Sequence, residues 1–249
     1  MRIESSFIQV SGIGTQTERS LWEAGVTNWC DGLDTSPVGP KTADRLHSFA
    51  DRAIEELAQE NVAYFASGLP SGERWRILES FGSRATAVDI ETTGLDPSRD
   101  VVTTVTFDGP AGTRTFVRGD DLTADALAST FDDTDLLVTF NGSQFDVPFL
   151  ERRFDLDIVC PHVDLRYPCR RVGWTGGLKQ IEQTLGIDRD LPAVDGREAI
   201  RLWHQYQHGD DGALDRLIRY NREDTRTLLP IADRVVEALD RRVFEPFRG

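Results

Sequence analysis

The sequence predicts an α/β fold: a mixed sheet that opens as an antiparallel meander of three strands, continues with parallel strands, and is flanked by helices. Three observations predict it. Apolar and β-branched runs follow one another between Ala85 and Val117. Beyond them, strand-like runs at Asp135–Phe140 and Val163–Leu165 alternate with helical patterning, as in a sheet with helices on its faces. Residues 1–82 instead read as loops and helices, a small N-terminal annex to a main domain at 83–249.

In the annex, Ala43–Gln59 places Leu46, Phe49, Ala50, Ala53, Ile54 and Leu57 at the spacing of one helix face, and a shorter helix is expected over Thr17–Ala24. Ile13-Gly14-Thr15-Gln16-Thr17 with Leu21 resembles Val38-Gly39-Pro40-Lys41-Thr42 with Leu46. Such apolar–Gly turns look like halves of helix-hairpin-helix elements, whose turn amides hold backbone phosphate; helix capping uses glycine equally well. Ala85–Ile90 is a short apolar strand and Val101–Phe107 a β-branched one. A turn at Asp108-Gly109-Pro110 leads into Thr113–Val117. Ala124–Ser129 reads as a helix, and Ser143–Phe154 as another with Pro148 early, where proline is tolerated. Helices are then expected over Leu178–Leu185, Arg197–His208 and Gly212–Leu239.

The 249 residues include 42 acidic and 28 basic side chains, a formal net charge of −14, with lysine only at Lys41 and Lys179. An acidic, lysine-poor surface suits solubility in high salt and predicts a halophilic source. Salt of that strength screens long-range repulsion within a few ångströms. Cys30, Cys160 and Cys169 lack a C-x-x-C spacing and read as free thiols of a reducing compartment. Neither a leader pattern nor a long apolar run is visible, so a cytoplasmic protein away from membranes is expected.

Carboxylates occupy unusual places in three separated segments. Asp89 and Glu91 stand at i and i+2 at the end of the first strand, so both side chains share one face. Two like charges side by side are destabilising unless a cation lies between them, although a strand end in solvent also carries acids. Asp146 follows the strand run Asp135–Phe140 and sits among Phe145, Val147, Phe149 and Leu150. Helix capping is the plainer role for such an acid, but Ser143 is the better cap. Tyr220 and Asp224 are one helical turn apart on a face continued by Leu217, Leu228 and Ile231. Together these acids suit hard divalent cations, and two ions about 3.5–4 Å apart is the spacing used for phosphodiester hydrolysis. Tyr220 is placed to orient the attacking water or to help deprotonate it.

These segments resemble the DEDD, or DnaQ-like, 3′–5′ exonucleases. Asp89-Ile90-Glu91-Thr92-Thr93-Gly94-Leu95 is similar to that family's opening motif. Asn141-Gly142-x-x-Phe145-Asp146-x-Pro148-Phe149-Leu150 is similar to its second, and Tyr220-x-x-x-Asp224 to the third in its tyrosine subclass. Within the superfamily, His162-Val163-Asp164-Leu165, Pro168, Arg170, Arg171 and the stretch Leu178–Ile187 look like the YprB-type ribonuclease H-like nucleases. The resemblance implies Asp89, Glu91, Asp146 and Asp224 as ligands of two Mg²⁺ or Mn²⁺ ions, with Tyr220 serving the water. It also implies substrate contacts from Thr92, Thr93, Gly94 and Leu95, Leu95 wedging against a base, and from Asn141, Phe145 and Lys179. The implied reaction is removal of nucleoside 5′-monophosphates from a single-stranded or frayed 3′ end of DNA or RNA. A binding scaffold with a degenerate core, or an endonuclease on branched or hybrid substrates, are the competing readings.

Other residues have two open roles each. Trp22, Trp29, Trp75 and Trp174 suit base stacking or core packing. Arg170, Arg171 and Lys179 suit phosphate contact or surface ion pairing. Asp164 is read as structural rather than as a fifth ligand, and His204/His208 as a solvated helix end.

Overall fold

The computed structural model describes residues 1–31, 37–189 and 196–248. The chain divides into two compact units, residues 1–82 with 235–249, and residues 83–234.

In the first unit, helices α1 (Thr15–Glu23), α2 (Pro40–Ala58), α3 (Val62–Gly68) and α4 (Leu78–Phe81) surround an apolar core. Gly14 and Gly39 both stand at helix N-caps, in extended backbone and without a side-chain cap. Pro40 begins α2, where its missing N–H has no intrahelical partner to lose. Asn61 caps α3 by accepting from the Tyr64 amide at 3.1 Å. Trp22, Trp29 and Trp75 are almost fully buried, so core packing accounts for them. The Trp22 and Trp29 indole N–H groups donate to the carbonyls of Ser5 and Ser6, and Trp29 stacks on Phe65 at 5.8 Å.

The sheet lies in the second unit. Its strands are β1 (Ala85–Thr92), β2 (Val102–Gly109), β3 (Gly112–Val117), β4 (Leu136–Thr139) and β5 (His162–Asp164), in the order β3-β2-β1-β4-β5. The meander β1–β2–β3 is antiparallel; β4 runs parallel to β1 and to β5. Between strands and after them come α5 (Ala124–Asp132), α6 (Asp146–Phe154), α7 (Arg166–Arg171), α8 (Leu178–Leu185), α9 (Gly196–Gln207), α10 (Asp211–Arg226) and α11 (Leu228–Val243).

Alternation along β1 builds the two layers. Val88 and Ile90 join Val105, Phe107, Phe116, Leu127, Phe131, Leu137, Phe149 and Leu150 in one apolar cluster, which takes in α5 and α6. Asp89 and Glu91 point to the opposite face, where α10 packs across β1 and β2. There Leu217 and Tyr220 of α10 join Ala199, Leu202 and Trp203 of α9 in a second cluster.

Three local expectations change. The helix expected over Gly212–Leu239 is two, α10 and α11, separated at Thr227. Pro230 is the cause: it has no N–H for the Arg226 carbonyl, and its ring crowds that oxygen. Ser143 does not cap α6. Phe145 holds the N-cap position, and the Ser143 hydroxyl donates instead to Asp164 at 2.6 Å. Helix α7 is additional, entered through the Asp164 carboxylate, which accepts the Arg166 amide at 3.1 Å. The three cysteines are unbridged. Among the described residues no helix is long and apolar enough to cross a membrane.

Candidate metal centre

Asp89 and Glu91 lie opposite Thr106 and Thr104 of β2, and the register shifts immediately after Glu91. That irregularity ends the regular pairing where the chain leaves for the Thr92–Leu95 loop. From the facing helix α10 comes Asp224. One carboxylate oxygen each from Asp89, Glu91 and Asp224 all lie within 4.8 Å of one another. Asp146 stands beside them rather than in that set of three: its Oδ1 accepts the Ile90 amide at 3.2 Å, between the two β1 acids.

Asn221 fixes the approach of α10. Its Nδ2 donates to Asp89 Oδ2 at 2.7 Å and to the Asp89 carbonyl at 3.3 Å, while its Oδ1 accepts from Thr106 Oγ1 at 2.7 Å. The residue is fully buried. In the sequence it stands out as the second residue of the Tyr220-Asn221-Arg222-x-Asp224 form of the third motif, one turn on from Leu217.

Burial raises all four carboxyls, and repulsion among them raises Asp89 and Glu91 further. Asp89 is held well above the usual range, first by desolvation and then by Asp146, Asp224 and Glu91. Desolvation and the Asp224 charge lift Glu91 to about 8, with Lys179 opposing. Desolvation lifts Asp146 to about 7 against the backbone N–H groups that hold it. Asp224 is raised by burial and partly relieved by Arg189. Arg189 donates to Asp224 and, at 2.7 Å, to Glu182. Arg189 escaped sequence reasoning because the segment around it has no periodicity, while Glu182 appeared only as part of the stretch Leu178–Ile187.

The donor set is entirely carboxylate oxygen, the chemistry hard divalent cations take. In the metal-free chain these acids keep protons that the unfolded chain releases near 4.5 and 3.8. The stability they contribute is therefore present below about pH 4 and is lost as pH rises through 7 to 8. Thermal melts in EDTA are expected to show a midpoint several degrees lower at pH 8 than at pH 5, with Mn²⁺ restoring it at pH 8. A midpoint that ignores both pH and cation contradicts a buried, self-repelling carboxyl set.

Tyr220 is buried beside Asp224, to which it hydrogen-bonds. Burial and the neighbouring acids push its phenol above the ordinary value, so it acts as a neutral donor rather than as a base. The Lys179 amine lies 5.1 Å from the Tyr220 ring centre. In the loop after β1, Thr92 Oγ1 donates to the Gly94 carbonyl at 2.6 Å and Thr93 Oγ1 accepts the Val101 amide at 3.0 Å. A side chain at Gly94 would start 2.3 Å from the Asp100 carboxylate, which itself accepts the Asp96 amide. The loop is thereby fixed, and Leu95 is presented 82% exposed.

At the end of β4, Asn141 adopts a left-handed φ of 68° and donates its amide to Asp164 at 2.7 Å. Phe145 is half-buried with its ring against Phe149 at 5.4 Å. Asp164 collects the Asn141 and Ser143 amides, the Ser143 hydroxyl and the Arg166 amide, which is a structural role.

A family model described as the RNase_H superfamily matches residues 87–236. Among curated proteins none matches the sequence. Among solved structures, the family B DNA polymerase from the hyperthermophilic archaeon Pyrobaculum calidifontis is similar with a TM-score of 0.51 and 21% identity. That likeness covers 61% of this chain and 24% of the polymerase, so this chain spans about a quarter of that protein. A structure described as the apo form of a nuclease gives a TM-score of 0.46 at 21% identity, over 66% of this chain and 77% of the other. Brucella melitensis NrnC bound to pGG gives 0.36 at 17%, over 66% and 88%. At these identities the first likeness speaks to the fold.

Proposed function

This chain belongs to the RNase_H superfamily, and from that premise we propose that it is a divalent-metal-dependent 3′–5′ exonuclease of the DEDD group, tyrosine subclass and YprB type. It shortens single-stranded or frayed nucleic acid and releases nucleoside 5′-monophosphates. The observation that carries this reading is the convergence of Asp89, Glu91 and Asp224 within 4.8 Å of one another, from a strand and a helix far apart in sequence.

Asp89, Glu91, Asp146 and Asp224 hold two Mg²⁺ or Mn²⁺ ions in this proposal. Bound there, the cations supply an acidified attacking water and neutralise charge on the phosphate. The protein supplies orientation. Tyr220 keeps its phenolic proton on Asp224, and its phenolic oxygen accepts a hydrogen bond from the water and so aims it. Lys179 adds positive charge beside Tyr220 for the approaching phosphate. Leu95, exposed on its braced loop, wedges against the terminal base, with the backbone of Thr92, Thr93 and Gly94 beneath it. Asn141 and Phe145 line the path of the strand.

End-labelled and circular single strands test the direction and mode. With Mn²⁺, a 5′-labelled linear strand is expected to give a descending ladder while a circular strand of the same length stays intact. Cleavage of the circle supports an endonuclease instead. Binding of both without cleavage supports a scaffold with a degenerate core.

A further inference from the structure

A cleft of about 640 Å³ opens at the carboxyl ends of β4 and β5. Ligands of α/β sheets bind at such strand ends, and the volume lies in the range of about 300–1,000 Å³ typical of ligand sites. Its wall is made by Phe140 and Asn141 after β4, Arg166 and Arg170 of α7, and Gly177 and Leu178 at the start of α8.

Two arginines on one wall give this cleft its charge. Several arginines of the same unit are neutralised: Arg84 by Asp135, Arg189 by Glu182 and Asp224, Arg201 by Glu198, Arg226 by Glu223. Arg170 is exposed and, among the described residues, has neither a hydrogen-bonding side chain nor a carboxylate partner. Arg166 gives one N–H to Asn141 Oδ1 and likewise has no carboxylate partner among those residues. In a chain of net charge −14, two uncompensated guanidinium groups on one cavity wall are a local excess of positive charge.

The walls are also braced. Asp164 accepts the amides of both Asn141 and Arg166, so one buried carboxylate sets the two sides of the cleft against each other. That gives it a task away from the metal centre. Phe140 and Leu178 add apolar surface. The next residue on α8, Lys179, reaches over Tyr220, which hydrogen-bonds to Asp224, so the α8 wall of the cleft leads toward the carboxylate cluster.

We infer that this cleft holds one nucleotide of a polynucleotide strand, 5′ to the bond being cut. Arg166 and Arg170 take its phosphate through paired N–H donors, and Phe140 and Leu178 pack against its base. The inference rests on the proposed nuclease reading and deepens it.

Fluorescence anisotropy of a labelled single-stranded oligonucleotide with the full chain in EDTA measures binding without cleavage. Arg170→Ala, at an exposed position with no side-chain partner among the described residues, is expected to weaken binding about three- to tenfold. It should also lower the slope of log affinity against log salt by about 0.7, the value for one phosphate contact on a single strand. Arg166→Ala should do the same, and Mn²⁺ binding by calorimetry should be retained in both. Nucleoside 5′-monophosphate and inorganic phosphate should compete far less well than the oligonucleotide. Unchanged affinity and salt slope in Arg170→Ala overturn the inference, as does equal competition by inorganic phosphate, which marks a free-anion site. If the wild type binds through Arg170 but cleaves nothing, the cleft stands and the nuclease reading falls. If it cleaves while Arg170→Ala binds normally, the reverse holds.

Discussion

Asp89→Ala or Asp146→Ala is expected to abolish Mg²⁺- or Mn²⁺-supported phosphodiester cleavage, a fall of at least about a thousandfold, or roughly 4 kcal/mol of transition-state stabilisation. The fold should persist, because each change removes charge from a crowded cluster rather than volume from the core. In the absence of metal, either variant should melt higher than the wild type at pH 8, since one of the mutually repelling carboxylates is gone. Rates with the purified variants and their circular dichroism decide the matter. Cleavage retained in both ends the nuclease proposal. Tyr220→Phe separates orientation from metal holding. It deletes a hydroxyl that is a neutral donor, so the rate should drop while calorimetric Mn²⁺ affinity is kept. Lost metal affinity there would instead make Tyr220 a brace for Asp224.

The second large effect is structural and belongs to the first unit. Glu18 and Arg76 are both almost fully buried and paired at 2.8 Å. Glu18 Oε1 also accepts the Phe7 amide at 2.7 Å, and Arg76 reaches Glu73 and the Ser6 hydroxyl. Burial raises the Glu18 carboxyl even against Arg76, which shows how much desolvation the pair carries. Arg76→Ala leaves a buried carboxylate uncompensated and is expected to cost about 3–5 kcal/mol. Glu18→Ala strands a guanidinium and the Phe7 amide, at similar cost. Replacing both by apolar residues of matching volume should recover most of the loss, since desolvation is then avoided. Denaturant titrations measure this; a loss below about 1 kcal/mol in Arg76→Ala contradicts the buried-pair account.

Much of this architecture was legible in the chain because its signals are local. The runs at Ala85–Ile90 and Val101–Phe107 became β1 and β2, and the i, i+2 acids of β1 share the α10 face as strand geometry requires. Tyr220 and Asp224 share a helix face for the same reason. Less legible were features decided between segments. Asn221 earns its place through Asp89 and Thr106, neither of them near it in sequence. Arg189 meets Asp224 only after folding. Helix α7 begins in a stretch containing Pro168, where local signals argue against a helix, and depends on Asp164 to start it. Ser143, a good cap by type, was taken by that same Asp164, which is a competition that propensity does not register.

The clasp between Asn221 and Asp89 joins residues 132 positions apart. A ribosome makes this chain from its amino end, so β1 emerges long before α10 exists. Until translation passes Asp224, the growing polypeptide carries an incomplete carboxylate set, and on the proposed reading it has no means to cut the messenger beside it.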